Sequence, residues 1–209
     1  MVPSARMILA SESPRRRELL AAVGVPFRVV PSGVDEIPRP GESPSRFVRR
    51  AALDKGEAVA ERFPSSFVLS ADTIVLAGGR ILGKPRDRAE ARRMLSRLAG
   101  HEHKVHTAIC LLCRERGYRD LATEVTRVRF RPLTAAEIAA YARTGEGDDK
   151  AGAYAAQGAG MLLIDRVAGS FSNVVGLPMT RVVTMLARAR VIRVTRTGPT
   201  WYAFAGGAR

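Results

Sequence analysis

The chain has 209 residues, a length that suits one packed domain of one or two lobes, and no Gly/Ser-rich linker divides it. Hydrophobic residues make up 46% and charged residues 26%, a composition that excludes a disordered or fibrous protein. The formal net charge of +14 favours polyanionic ligands such as phosphates or nucleic acid, or reflects a solvated arginine-rich surface.

The first part of the chain predicts alternating strands and helices. Ser13-Pro14 and Ser43-Pro44 each have the form of a helix start, because serine caps free backbone N–H groups and proline is preorganised for the first turn. Short apolar segments precede and separate these starts. The predicted elements are the strands Met7–Ala10 and Phe27–Pro31, a helix from Pro44 to about Phe63, and a helix Pro14–Val23 that Gly24 closes.

The second part predicts a hairpin, long paired strands and three further helices. Phe67–Asp72 reads as a buried strand with Asp72 at its end, and Gly78-Gly79 as the turn of a hairpin. The remaining predicted helices are Asp87–Leu98, Leu177–Arg188 and a helix that begins at Thr134 and ends near Gly145. The remaining predicted strands are Val105–Arg114, Tyr118–Phe130, Leu162–Val167 and Val191–Val194, and we expect the last of them to complete the sheet. The tail from Arg196 lacks periodicity, and we expect it to be loose or packed on the surface.

Three arginines follow Ser13 at the predicted start of the first helix, where acidic residues are normally favoured. Their charges repel one another and the helix dipole in the empty protein. A polyphosphate bound to the backbone N–H groups at Ser11–Arg15 would make the same cluster favourable. The segment therefore predicts either a phosphate site that includes Ser13 and Arg15 or an exposed basic helix.

Two further clusters place charged residues beside glycines. Asp72-Thr73 is followed after the hairpin by Lys84 in a Gly-Lys-Pro turn, where a carboxylate suits a divalent cation or water activation and a lysine suits phosphate. Lys150 lies in a glycine-bracketed acidic loop, and the amide of Gln157 offers donors and an acceptor to a base. The alternative is that these segments are capped or solvated turns.

We expect the cysteines to be buried and the histidines to have surface or packing roles. Cys110 and Cys113 lie in one apolar strand at a spacing that points them to opposite faces, so we expect buried, unreactive thiols rather than a disulfide. His101 and His103 share one face of a strand, and His106 takes the other. Three converging zinc ligands are therefore not expected.

Several of these segments, taken together and in order, resemble the Maf family of nucleotide pyrophosphatases, also called septum formation inhibitor proteins. The resemblance spans Met7 to about Leu186. The matching segments are SESPRRRELL, the acidic pair Asp35-Glu36, ALDKGEAVA, SADTIV, ILGKP, RLAGHEHKVHTAI, GEGDDKAGAYAAQGAG and GSFSNVVGLP. Ala155-Ala156 departs from the glycine and isoleucine that the family often has before Gln157.

The resemblance implies an elongated α/β fold like that of inosine triphosphate pyrophosphatases, with a mixed sheet and a cleft between two lobes. It also implies hydrolysis of a nucleoside triphosphate to a monophosphate and pyrophosphate with Mg²⁺ or Mn²⁺. By this resemblance Asp72 accepts a proton from water, Arg15, Lys55 and Lys84 bind phosphates, and Glu36 helps Asp72 hold the metal.

The family has branches with different substrates. The branch that acts on dTTP and UTP combines an arginine, a threonine and a glutamine, which are Arg15, Thr73 and Gln157 here, whereas the 7-methylguanosine triphosphate branch usually has glutamate at the last position. A neutral amide complements uracil or thymine, so the residues favour dTTP and UTP, with modified pyrimidine nucleotides as further candidates.

The predicted enzyme occupies residues 1–192 as one domain, followed by an extension, 193–209, of unassigned role. We expect a cytoplasmic protein without a membrane partner, because no run of 18 apolar residues and no secretory signal is present. The resemblance implies a homodimer. A basic nucleic-acid-binding or cell-division regulatory protein is the alternative function, although aromatic residues for base stacking make up only 6%.

Overall fold

The computed structural model describes residues 7–24, 26–194 and 202–204, which form the predicted mixed α/β fold. The helices are α1 (Pro14–Ala21), α2 (Pro44–Arg62), α3 (Arg88–Leu98), α4 (Ala135–Arg143), α5 (Phe171–Val175) and α6 (Met179–Arg188). The strands are β1 (Met7–Ala10), β2 (Arg28–Val29), β3 (Phe67–Ala77), β4 (Arg80–Leu82), β5 (Glu102–Cys113), β6 (Tyr118–Phe130), β7 (Ile164–Ala168), β8 (Ile192–Val194) and β9 (Tyr202–Phe204). None of the helices in these ranges has the length and apolar character that a membrane crossing requires.

Seven of the strands form one mixed sheet in the order β2-β1-β3-β5-β6-β7, with β4 paired to β3. β1 runs parallel to both β2 and β3, whereas β4 is antiparallel to β3 and β7 is antiparallel to β6. The hairpin predicted across Gly78-Gly79 is confirmed by the pairing of Ala77 with Arg80.

The chain divides into two compact units. The first contains the described residues of 1–72, 108–123 and 176–209, and the second contains residues 73–107 and 124–175. Three strands, β3, β5 and β6, contribute residues to both units.

The core of the first unit lies on both faces of β1, which explains the uninterrupted apolar run of that strand. Met7 and Leu9 pack into one cluster with residues of α1 and α6, including Leu20 and Leu186. Ile8 and Ala10 pack into a second cluster with residues of α2. Both faces of this part of the sheet are therefore covered by helices.

Helix starts were predicted where the sequence offers a capping side chain, and four of them are confirmed. The Ser13, Ser43, Asp87 and Thr134 side chains each accept a hydrogen bond from a backbone N–H of the first helical turn. Thr134 and Glu137 form the predicted capping box.

The cysteines follow the prediction as well. Both are free and buried, and Cys110 and Cys113 belong to different core clusters because they point to opposite faces of β5. Burial raises the pKa of Cys110 to about 12, so its thiol stays protonated and unreactive at neutral pH.

Some predicted details are wrong. Asp72 lies in the middle of β3 rather than at a strand end, because Ile74 and Val75 continue the buried strand beyond Thr73. The predicted strand at 162–167 begins at Ile164, since the residues before it form a 3₁₀ helix.

The C-terminal predictions are also corrected. β8 does not join the large sheet but pairs antiparallel with β9 in a separate two-stranded sheet. Part of the tail predicted to lack structure, Tyr202–Phe204, is therefore a strand, while Trp201 lies outside the described residues.

The core of the second unit contains a buried histidine. His103 is packed edge-to-face against Phe130 and Tyr154, and its Nε2 lies 2.8 Å from the Tyr154 hydroxyl. The prediction of a packing role is confirmed for this residue. Burial lowers the pKa of His103 from 6.5 to about 4, whereas burial raises the pKa of Tyr154, which therefore stays neutral in acid.

This histidine should make stability depend on pH. The unfolded chain takes up a proton at His103 near pH 6.5, but the folded chain does so only near pH 4, so stability is lost as pH falls between these values. The free energy of unfolding should fall by about 3 kcal/mol across this range in urea titrations. His103→Gln should flatten the dependence, and a slope equal to that of the unmodified protein would contradict the assignment.

Candidate active site

A buried ion pair joins α2 to β3 in the first unit. Ser70 of β3 donates a hydrogen bond of 2.6 Å to the Ala52 carbonyl of α2, and a Cβ on Gly56 would lie only 2.8 Å from the Ser70 Oγ. Glycine at this position therefore lets the helix approach the strand closely. The approach brings the Lys55 Nζ to 2.8 Å from Asp72 Oδ1, with Lys55 6% and Asp72 2% exposed.

Glu36 supplies a second carboxylate to the same lysine. Its carboxylate contacts the Lys55 ammonium, and its side chain is 45% exposed. One ammonium therefore lies between a buried and a half-exposed carboxylate, at a position where the sequence predicted a phosphate-binding lysine and a metal-binding glutamate.

The two carboxylates differ in their affinity for protons. Burial raises the pKa of Asp72, Lys55 opposes that rise, and the negative charge of Glu36 adds to it. Burial acts in the same direction on Glu36, but the charge and hydrogen bond of Lys55 outweigh it, so the pKa of Glu36 is lowered. Asp72 is therefore the better proton acceptor, and Glu36 remains ionised.

The second oxygen of Asp72 suits a water molecule or a metal ion. Asp72 Oδ2 is buried and has no hydrogen-bond partner among the described residues, a costly arrangement for a carboxylate oxygen. No cluster of three or more His, Cys, Asp or Glu side chains suited to a metal occurs in residues 7–24, 26–194 and 202–204. Two carboxylates nevertheless fit Mg²⁺, which typically completes its coordination with water and substrate phosphates.

The N-terminus of α1 lies beside this carboxylate pair through one of its arginines. Arg16 donates hydrogen bonds of 2.9 Å to the carbonyls of Ala71 and Gly176. Burial lowers the pKa of Arg16, while the charges of Asp72 and Glu36 oppose that shift. This guanidinium therefore fixes the backbone next to Asp72 and does not extend into solvent.

Arg16 was not predicted as a site residue, because nothing in the run Arg15–Arg17 indicates which arginine turns inward. Arg15 is half-buried, and Arg17 is exposed. The Ser13 Oγ accepts a 3.4 Å hydrogen bond from the Arg16 backbone N–H, so this predicted substrate-binding residue is also the helix cap.

Thr73 belongs to a hydroxyl network in the second unit. Its Oγ1 lies 2.9 Å from the Thr107 Oγ1, and the Thr107 hydroxyl donates a 3.2 Å hydrogen bond to the Asn173 carbonyl. Because Thr107 has one proton, Thr73 must donate in their contact. Thr73 therefore presents its oxygen to other groups as an acceptor.

The loops that carry Lys84 and Lys150 meet within the second unit. The Gly152 backbone N–H donates a 3.0 Å hydrogen bond to the Gly83 carbonyl, which joins the two loops beside their lysines. Lys84 is exposed. The Lys150 ammonium contacts the Glu146 carbonyl and the Asp149 carboxylate within its own loop.

Gln157 is exposed at the start of the 3₁₀ helix Gly158–Leu163 and does not cap it with its side chain. The sequence-predicted residues thus fall into two groups. The first unit contains Ser13, Arg15, Glu36, Lys55 and Asp72, of which the last three are in contact, and the second unit contains Thr73, Lys84, Lys150 and Gln157.

Comparison with known proteins gives consistent matches. A family model described as Maf-like protein matches residues 6–189. A Syntrophomonas wolfei protein described as dTTP/UTP pyrophosphatase is 47% identical over 180 residues, which cover 86% of this chain and 95% of that protein. Proteins of the same description from Symbiobacterium thermophilum and Myxococcus xanthus are 50% and 48% identical, over 88% of this chain and 93% and 92% of theirs.

A solved structure, that of the Staphylococcus aureus Ham1 protein, aligns with 59% of this chain and 71% of its own at 13% identity, with a TM-score of 0.41. The family assignment is carried by the sequence relatives, each of which is matched over most of both chains.

Proposed function

The chain belongs to the Maf family, and from this premise we propose that it is a nucleoside triphosphate pyrophosphatase that hydrolyses dTTP and UTP to the monophosphates and pyrophosphate. The observation that carries the proposal is a buried aspartate with one oxygen held by a lysine and the other without a partner among the described residues. That arrangement suits the activation of water next to a phosphate chain.

Asp72 accepts the proton of the attacking water through Oδ2. The water oxygen then bonds to the α-phosphorus while the bond from that phosphorus to the oxygen bridging the β-phosphate breaks, and pyrophosphate leaves. Support comes from Lys55, whose 2.8 Å hydrogen bond to Oδ1 fixes the carboxylate so that Oδ2 is the accepting atom. Burial, which raises the pKa of Asp72, makes it a stronger base than an exposed carboxylate.

Glu36 and Asp72 would hold the divalent cation, Mg²⁺ or Mn²⁺. When bound, that ion supplies Lewis-acid stabilisation of the charge that develops on the phosphate oxygens. The lowered pKa of Glu36 keeps its carboxylate ionised for this role.

We assign phosphate binding to cationic side chains and to backbone N–H groups. Arg15 and the backbone N–H groups next to Ser13 form the start of α1, where the helix dipole also favours an anion. Lys84 and Lys150 lie on loops joined by the Gly152–Gly83 hydrogen bond, which limits how far the two ammonium groups separate.

Thr73 and Gln157 select the pyrimidine. The Gln157 amide can donate to O4 and accept from N3–H of uracil or thymine, whereas glutamate would only accept. Gln157→Glu should therefore lower kcat/KM for dTTP and UTP about tenfold or more and should improve use of 7-methyl-GTP. A panel of dTTP, UTP, CTP and 7-methyl-GTP that is unaltered by the substitution would reject this role.

The activity is tested by incubating the protein with dTTP and Mg²⁺ and following the phosphorus products by NMR. Equal amounts of dTMP and pyrophosphate are expected. Release of inorganic phosphate with dTDP, or no turnover of dTTP and UTP, would overturn the proposal. If there were no turnover, salt-sensitive binding of RNA would favour the alternative function of nucleic-acid binding.

We also propose that the protein works in the cytoplasm as a homodimer, binds no specific nucleic acid, and removes modified pyrimidine nucleotides together with dTTP and UTP. The resemblance of the chain to the Maf family supports the dimer, and the neutral amide of Gln157 supports pyrimidine use. Sedimentation equilibrium tests the dimer, and turnover of 5-substituted dUTP analogues tests the range of bases.

A further inference from the structure

The segment that carries Gln157 is held by a carboxylate that the proposed reaction does not use. Glu146 Oε1 accepts a 3.0 Å hydrogen bond from the Ala159 backbone N–H, and Oε2 accepts a 2.8 Å hydrogen bond from that of Gly160. Both oxygens therefore bind backbone just beyond Gln157. Hydrogen bonds to a charged group are stronger than neutral ones, so this contact suits a fixed loop.

Tyr141 of α4 completes the contact on the other side of Gln157. Its buried hydroxyl accepts a 3.0 Å hydrogen bond from the Ala155 backbone N–H and is hydrogen-bonded to Glu146. Because the Glu146 carboxylate accepts, the Tyr141 hydroxyl donates to it. The backbone on both sides of Gln157 is thus tied to one tyrosine–glutamate pair.

Two glycines allow the loop to close around this pair. Gly158 has φ +66°, and a Cβ there would lie 2.0 Å from Glu146 Oε1. A Cβ on Gly160 would lie 2.0 Å from the Ala155 carbonyl oxygen. Larger residues at either position would push the loop away from the pair, so the sequence of this segment is fitted to the contact.

We propose that Glu146 and Tyr141 are positioning residues for base selection: they hold the loop so that the exposed Gln157 amide meets a pyrimidine base in a fixed orientation. The inference rests on the proposed function, which assigns Gln157 to the base. Glu146 and Tyr141 act through the backbone of the loop and do not touch the nucleotide.

The test compares Glu146→Gln and Tyr141→Phe with the unmodified protein on dTTP, UTP and CTP. Glutamine keeps one acceptor but turns an amide N–H₂ toward a backbone N–H, so one contact is lost. Glu146→Gln should raise KM for dTTP and UTP about tenfold and change kcat less than about threefold, with a reduced preference over CTP. Tyr141→Phe should act in the same direction.

Two further variants separate positioning from general destabilisation. In a Gln157→Ala background, Glu146→Gln should have little further effect on KM, because the amide that the loop positions is gone. Glu137→Ala removes the capping box of α4 in the same unit, and it should lower the melting temperature without changing substrate preference.

The inference is overturned if Glu146→Gln leaves KM and preference unchanged, or if it acts equally with and without Gln157. Failure of the proposed function would be visible separately, as absence of dTTP turnover in the unmodified protein. In that case two other measurements would test whether Glu146 holds the loop: hydrogen exchange of the Ala159 and Gly160 amides, and equilibrium binding of dTTP. Glu146→Gln should speed the exchange and weaken the binding.

Discussion

Asp72→Asn should lower kcat for dTTP by between about a hundredfold and ten thousandfold, the range that a positioned general base contributes. An amide cannot accept the proton of the attacking water, and its N–H₂ group repels the cation that the carboxylates would hold. The isosteric side chain keeps the volume of the buried position. Pyrophosphate release under saturating dTTP and Mg²⁺ measures the effect.

The matched control is Asp35→Asn, which neutralises an exposed carboxylate one residue before Glu36. It removes one negative charge, as Asp72→Asn does, but from a side chain that the proposed mechanism does not use, so kcat should change less than about threefold. Thermal unfolding of both variants shows whether they fold. Retention of normal turnover by folded Asp72→Asn would remove the proposed proton acceptor.

Local sequence signals predicted the elements that depend on nearby residues. The helix starts at Ser13, Ser43 and Thr134 follow from a capping side chain and the residues of one turn, so no tertiary information is needed. The two-stranded sheet is different: β8 was predicted as a strand of the large sheet and β9 was not predicted, because their pairing with each other depends on tertiary contacts. Such short segments have no periodicity to detect.

In the candidate site, too, the residues could be predicted from the sequence but their tertiary contacts could not. Motif order identified Asp72, Lys55 and Glu36, but it did not show that the lysine lies between the two carboxylates, because that depends on the close approach of α2 at Gly56. Glu146 was missed for a related reason. Its partners are backbone N–H groups, which every sequence contains, so no residue pattern points to them.

The position of Lys55 leads to a prediction about stability. Lys55→Met keeps the unbranched stem that crosses the core but leaves Asp72 as a buried carboxylate without its cation. Removing one partner of a buried pair costs about 3–5 kcal/mol of unfolding free energy, measured by urea denaturation. Activity should be lost as well, because Asp72 then binds a proton more readily and is no longer held by Lys55.

The double variant Lys55→Met/Asp72→Asn distinguishes lost packing from an uncompensated charge. It contains no buried carboxylate at residue 72, and Glu36, which is 45% exposed, can be solvated without the lysine. Most of the lost stability should therefore return, although the double variant stays inactive. If the double variant were as unstable as Lys55→Met alone, the methylene packing of Lys55 would be the stabilising feature. If Lys55→Met were fully stable and active, Asp72 would not need the lysine, and the phosphate-binding role predicted for Lys55 would be rejected as well.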